Sequence, residues 1–356
     1  MRFFSSITIL MLGLLVCRCV TPINPDARSL PPSLVVDGLV TDQPGRNRVS
    51  LSLTAAYKQT ALNLLVQNAS VTVSDDANRR VEFRETSPGY YQPDTSWRGV
   101  AGRTYTLNIQ LSDGRSYRSK PELLRPVVPI DTVYVEFTQK LRPGTQSYNK
   151  GFDVYLDLKD PATPDDYYRW SWVHYERPYF CGTVKIPECS GCQNFIEYGV
   201  LCCGPCWDII RYQNEINIAS DNSINGNRIS RRPLTRVPFT SYLPYYLEIE
   251  QQSLTKEAYQ YLFTLNDMIS NSGGLFDAAP ATLTGNLSST GNAEELVFGY
   301  FAASAMVIKP FYVDRRNAPA FPDLMDLPPA LPSPAPCTAC VESPFRTQHP
   351  PKWWQF

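Results

Sequence analysis

Tyr105-Thr106-Leu107-Asn108-Ile109-Gln110-Leu111 alternates apolar and polar side chains without a break. Successive side chains of an extended chain point to opposite faces, so this stretch predicts a strand with one buried face and one wet face. Outward from it, Leu34-Val35-Val36, Val49-Ser50-Leu51-Ser52-Leu53, Ala69-Ser70-Val71-Thr72-Val73 and Val81-Glu82-Phe83 have a similar texture. Turn chemistry separates them: Asp42-Gln43-Pro44-Gly45, Ser87-Pro88-Gly89 and Asp113-Gly114 offer a preset φ at Pro and a positive φ at Gly. The chain is therefore expected to be mainly β, opening with an immunoglobulin-like β-sandwich over residues 33–125.

Beyond that unit, Pro126 to Pro129 reads as a stiff connector. Strand patterns resume at 132–137, 152–158, 167–173 and 245–250, giving a second, larger β-rich domain over 130–326 with a cysteine-rich insertion at 181–206. One helix is expected near 255–270. Ser253 or Thr255 can cap it, Ala258, Tyr261, Leu262, Leu265 and Ile269 recur at spacings of three and four, and Gly273-Gly274 stops it. Residues 296–307 form a continuous apolar run that predicts a strand buried on both faces, and the Pro-rich tail 327–356 reads as loop.

Composition limits the function classes. The 356 residues are 43% hydrophobic, enough to build a core without a partner, and the 31 prolines suit turns and edges rather than helices. With a formal net charge of −1 and no run of Lys or Arg longer than two, nucleic acid is not an expected partner.

The N-terminus decides the compartment. Met1-Arg2-Phe3-Phe4 carries one positive charge and residues 7–16 are almost wholly apolar, the order of a secretory signal and too short to span a bilayer. Cys17-Arg18-Cys19 follows, and a cysteine directly behind such a segment is the position for lipid attachment, with Leu14-Leu15-Val16 placed as a lipobox. Bulky Val16 precedes Cys17 and Arg18 precedes Cys19, where small residues are usual. Cys19 is the favoured lipidation site and Cys17 the alternative, making 1–18 the signal peptide and 19–32 a tether. An ordinary cleaved signal would also take the chain out of the cytoplasm. No later segment is long and apolar enough for a membrane span, so attachment is expected through the lipid alone.

Several stretches carry a family resemblance. Leu34-Val35-Val36-Asp37-Gly38-Leu39-Val40-Thr41-Asp42, Gly102-Arg103-Thr104-Tyr105-Thr106-Leu107 and Pro129-Ile130-Asp131-Thr132 are the earlier ones. Gly285-Asn286-Leu287, Glu294-Glu295, Gly299-Tyr300-Phe301 and Ala303-Ser304 follow, then Cys337-Thr338-Ala339-Cys340 before Lys352-Trp353-Trp354. Together they resemble the domain-of-unknown-function 4249 lipoproteins of gram-negative bacteria over nearly the whole mature chain. The resemblance implies a lipid-anchored outer-membrane protein, exposed at the cell surface and associated with a TonB-dependent transporter in nutrient uptake. It implies no catalytic residues.

The residues themselves leave alternatives. Cys181, Cys189, Cys192, Cys202, Cys203, Cys206, Cys337 and Cys340 are an even set in an exported chain, which points to disulfides of undetermined pairing. Cys189-x-x-Cys192 and Cys203-x-x-Cys206 also have zinc-ribbon spacing, the rival reading, while redox catalysis lacks the strand-to-helix turn it needs. Only His174 and His349 exist, so no catalytic triad or zinc-protease motif can be assembled, and His174 reads as a packing histidine. Asp165-Asp166 and Glu294-Glu295 read as solvated pairs. Rigid aromatics make Trp170, Trp172, Trp207, Trp353 and Trp354 the candidate binding surface, against plain packing. The expectation is a binding or accessory protein rather than an enzyme, with no cofactor or resident metal. The alternatives are a surface hydrolase acting on glycans through carboxylates far apart in sequence, and a structural envelope lipoprotein.

Overall fold

The computed structural model describes residues 32–356 except 55–63, 145–146, 190–192, 212–215, 271–282, 284, 333, 352 and 355–356. The expected signal segment, Cys17, Cys19, nearly all of the expected tether and Cys192 lie outside the described residues. The chain is mainly β, and no described helix is long and apolar enough to cross a membrane.

Eleven strands form one hydrogen-bonded sheet. Its order is Leu287–Ser289, Ser116–Ser119, Thr104–Gln110, Ser70–Asp75, Arg80–Ser87, Tyr90–Gln92, Arg48–Leu53, Leu34–Thr41 and Val297–Ser304, with Leu64–Leu65 and Glu122–Leu123 paired beside it. In Thr104–Gln110 the apolar members of the alternation, Tyr105, Leu107 and Ile109, are buried as the pattern requires. The sheet curls until its end strands adjoin, enclosing a core that includes Leu34, Val36, Leu51, Val71, Leu107 and Phe301. Asn286 closes the seam. Its Nδ2 donates to Phe301 O at 2.8 Å, and Phe301 N donates to its Oδ1 at 2.9 Å, so one amide side chain stands in for a strand's peptide group.

The last strand enters in parallel beside the first, Leu34 opposite Val297 and Thr41 opposite Ser304. Glycine is required at this crossing. A Cβ on Gly299, whose φ is +91°, would lie 1.9 Å from Val36 O, and one on Gly285 would lie 1.6 Å from Gly299 O. The recognisable sequence around Gly285-Asn286 and Gly299 thus has a steric origin.

The second unit packs a three-stranded sheet, Thr132–Leu141, Tyr148–Lys159 and Arg228–Pro238, on a larger one. The latter runs Met306–Val313, Tyr245–Leu254, Tyr167–Glu176, Trp207–Arg211 and Arg346–Thr347, with Asn217–Ser220 also on Tyr167–Glu176. Phe152, Val154 and Leu156 from one face meet Tyr168, Trp170, Leu247 and Ile249 from the other.

Three expectations change in detail. The apolar run 296–307 is not one strand: Val297–Ser304 belongs to the first sheet and Met306–Val313 to the second. Buried Ala305 is the joint, exchanging hydrogen bonds with Ser253 through N to Oγ at 3.1 Å and O to N at 3.1 Å. The first core is consequently completed by residues far outside 33–125. Ser253 is occupied there, and Thr255 caps the helix Lys256–Ser270 by accepting from Ala258 N at 3.2 Å.

The tail is also more than loop. Leu331 N donates to Gly199 O at 2.8 Å, Thr338 N to Leu201 O at 2.9 Å, and Arg346–Thr347 pairs with Trp207 and Asp208. Disulfides fasten it: Cys203 to Cys337 and Cys206 to Cys340, both across 134 residues, while Cys181 joins Cys202. Cys189 is disulfide-bonded as well. Of the four thiols that the zinc reading needs, the three described ones, Cys189, Cys203 and Cys206, are therefore consumed in bridges, and Cys181, Cys202, Cys206 and Cys340 pack as a small sulfur core.

Candidate functional site

The five tryptophans do not form one surface. Alternation along Tyr167–Glu176 sends Tyr168 and Trp170 into the second core, where Trp170 is 1% exposed and its Nε1 donates to Gln251 Oε1 at 2.8 Å. Trp172 packs half-buried against the same core, and Trp207 is 2% exposed. Both Trp170 and Trp207 are packing residues, which corrects their reading as surface. Trp353 and Trp354 remain half-buried: they lean on Tyr246 with centroids 5.8 and 4.0 Å away, and Trp353 Nε1 donates to Glu248 Oε2 at 3.1 Å. His174 is a packing histidine, stacked 3.5 Å from Tyr245 with Nδ1 2.7 Å from Tyr246 O.

The opposite face of the same strand carries Tyr167, Arg169 and Ser171 toward the helix and the first sheet. Here the helix bridges the two units, with Ala258, Leu254 and Tyr167 packed together and Leu262 and Tyr300 against them. A cleft of about 410 Å³ remains beneath it. Its apolar wall is Leu262, Leu265 and Ile269 of the helix, and its polar wall is Asp37 and Arg48 of the first sheet with Arg169 of the second. Arg169 makes no side-chain hydrogen bond with a described residue. Burial pushes its guanidinium below its ordinary pKa, opposed by the charge of Asp37 and reinforced by that of Arg48. Such a cation, fixed on a strand in poor solvent, can meet an anionic group with little loss of its own freedom.

On the helix's other side lies a wider hollow of about 840 Å³, sharing Tyr261 and Tyr300 with the cleft. Its floor is Glu122, 4% exposed. Tyr300 Oη donates to Glu122 Oε1 at 2.5 Å, Asn286 Nδ2 to the same oxygen at 3.0 Å and Thr255 Oγ1 to Oε2 at 2.8 Å. Burial raises the carboxyl above the usual range, while these donors partly offset it. Glu122 thereby ties together the helix cap, the seam residue Asn286 and the last strand of the first sheet. Neither Arg169 nor Glu122 stood out in sequence, because each is a lone charge in a strand without a spaced partner.

Carboxylates also meet from distant positions. A carboxylate oxygen from each of Asp160, Asp166 and Asp221 lies within 4.8 Å of the other two. Arg125 reaches Asp166 at 3.3 Å, so the presumed solvated pair Asp165-Asp166 is divided, with Asp166 drawn into this cluster. Glu295 likewise leaves its pair, accepting from Tyr117 Oη at 2.6 Å and Arg115 Nη1 at 3.2 Å.

The fold and cleft define a mainly β protein of two sheet systems joined by a shared chain crossing and one helix. The chain belongs to the family described as Domain of unknown function (DUF4249), whose model matches residues 20–309. The match includes the first sheet, the helix and most of the second unit, ending within Met306–Val313 and short of the disulfide-fastened tail. No curated protein matches the chain.

Proposed function

We propose that this chain is a lipid-anchored, surface-exposed outer-membrane protein that binds a ligand in the cleft beneath Lys256–Ser270 and works beside a TonB-dependent transporter. The observation that carries the binding reading is Arg169, a cation without a hydrogen-bonding side-chain partner among the described residues, facing an apolar helix wall. An occupant should pair one anionic group with an apolar body. Export is supported by the apolar N-terminal segment before Cys17 and Cys19 and by bridges suited to an oxidising compartment. The transporter partnership rests on the family resemblance alone.

Affinity purification from detergent-solubilised outer membrane, with intact-mass analysis of the N-terminus, tests the placement. A diacyl-modified cysteine and a co-purifying TonB-dependent barrel are expected; an unlipidated, partnerless protein would overturn the reading. For the cleft, Arg169→Met should preserve the melting temperature within a few degrees while weakening ligand-dependent uptake by about tenfold, the scale of one charge-assisted contact. Unchanged uptake would remove the cleft from the function.

A further inference from the structure

The aspartate cluster lies at the end of the second unit beside Arg125 and the crossing at Ala305, where the turn after Tyr148–Lys159 meets the loop before Arg228–Pro238. Asp160 and Asp221 are each 1% exposed. Hydrogen bonds account for part of the negative charge. Tyr168 Oη donates to Asp160 Oδ1 at 2.6 Å and Gly226 N to Asp160 Oδ2 at 3.0 Å. Asp166 accepts from Thr163 Oγ1 at 2.8 Å and from Arg125 Nη2 at 3.3 Å. Asp221 is different: its Oδ2 is buried and has no hydrogen-bond partner.

A buried carboxylate oxygen left bare beside two other carboxylates is costly, since desolvation and like-charge repulsion both oppose it. Arg125 offsets one charge of three. Two remedies exist in principle, a shared proton or a cation, and the donor set distinguishes them. Three carboxylates within 4.8 Å match opposite ligands of one ion at calcium–oxygen distances of about 2.4 Å. The two loops are independently braced around the cluster: Asp221 N donates to Asp166 O at 3.0 Å, Gly226 N to Pro161 O at 3.1 Å and Asp160 N to Asn227 O at 3.0 Å. All donors are hard oxygens, and burial leaves little room for the water shell that magnesium keeps.

We infer that Asp160, Asp166 and Asp221 form a calcium site that joins the loops 160–166 and 221–227 at the end of the second β unit. Calcium completes the cluster by taking the free oxygen of Asp221 together with one oxygen from each neighbour. The role is structural: the ion reinforces two loops that backbone hydrogen bonds already join, between the strand pairings of Lys159 with Arg228 and of Tyr167 with Ser220.

The test uses the full chain in detergent, comparing EDTA with CaCl₂ at about 10 mM, well above the roughly 10⁻⁴–10⁻³ M dissociation constants of extracellular calcium modules. Calcium should raise the melting temperature by roughly 2–6 °C. Terbium should show luminescence sensitised by Tyr168 and be displaced by calcium. Asp221→Asn should lose both effects and melt in EDTA no lower than the wild type, because it removes the uncompensated charge. Asp166→Asn, at the more exposed member, is the second variant and should weaken calcium at least severalfold. A wild-type melting temperature indifferent to calcium, with no terbium signal, would overturn the site. So would stability that rises as pH falls through the carboxylate range without a calcium effect, which would assign the shared proton instead. MgCl₂ reproducing the full shift would overturn the choice of calcium.

Discussion

Asp75 collects donors from both sides of a turn: Ala77 N at 3.0 Å, Arg79 N at 3.0 Å, Arg79 Nε at 2.8 Å and Arg103 Nη2 at 3.1 Å. Burial alone would raise its pKa, but these donors favour the ionised form and bring it down to about 2. A depressed carboxylate contributes stability that is complete above its unfolded pKa of about 4 and is lost as pH falls toward the folded value. Asp75→Asn should therefore be less stable than the wild type at neutral pH, with the gap closing between about pH 4 and pH 2 in urea titrations. A constant gap would reject the assignment. Gly299 makes the opposite kind of demand, for space. Gly299→Ala places a methyl against Val36 O in a backbone region with positive φ, and should cost about 3 kcal/mol or more by denaturant midpoint. Residues such as these were partly legible. Asp113-Gly114 and Ser87-Pro88-Gly89 announce their turns locally, whereas Gly299 looks like any glycine until the strand beside it is known.

Strands with one wet face declared themselves through period two, as 104–110 shows, and the helix through its spacing of three and four. The tail did not, because it docks by backbone pairing and cysteine bridges rather than by an apolar stripe. An even cysteine count indicated bridges but not partners, since pairing depends on three-dimensional proximity. The observed arrangement has its own energetic signature. Cys203–Cys337 and Cys206–Cys340 close nearly the same loop of 134 residues, worth roughly 4–5 kcal/mol for the first bridge by chain entropy and much less for the second. Removing either pair by Cys→Ser should thus lower the melting temperature only slightly, and removing both should lower it far more than the sum. Additive losses would mean that each bridge acts through local packing instead.

Across the whole molecule, the crossing at Ala305 makes the two sheet systems share one continuous segment. Arg46 in the first unit strengthens the union by pairing with Glu248 and, at 3.0 Å, with Glu250 of the second. Sequence patterns suggested a boundary near Pro126 to Pro129 because composition changes there, but composition is blind to a strand returning from far downstream. A fragment ending at residue 125 lacks Leu287, Val297, Phe301 and Ala303 of its own core. Such a fragment is expected to show no cooperative unfolding by circular dichroism, and grafting 285–305 onto its end should restore it. Cooperative melting of the short fragment alone would show that the returning strands are dispensable. The cleft was illegible for the same reason, since its walls come from Asp37, Arg169 and the helix, three places brought together only by this closure.

That closure also sets a timetable. The parallel pairing of Leu34–Thr41 with Val297–Ser304 spans about 260 residues of intervening chain. For a chain emerging N-terminus first, from the ribosome or along the export route proposed above, the opening strand must wait with a bare edge until most of the molecule has followed it. Long-range parallel pairing is slow, and an unsatisfied edge invites pairing with other chains. On the export route proposed above, delivery is therefore expected to depend on periplasmic holding factors that shield the waiting strand, and a shortage of them should appear first as aggregation of newly exported chains rather than as loss of the mature fold.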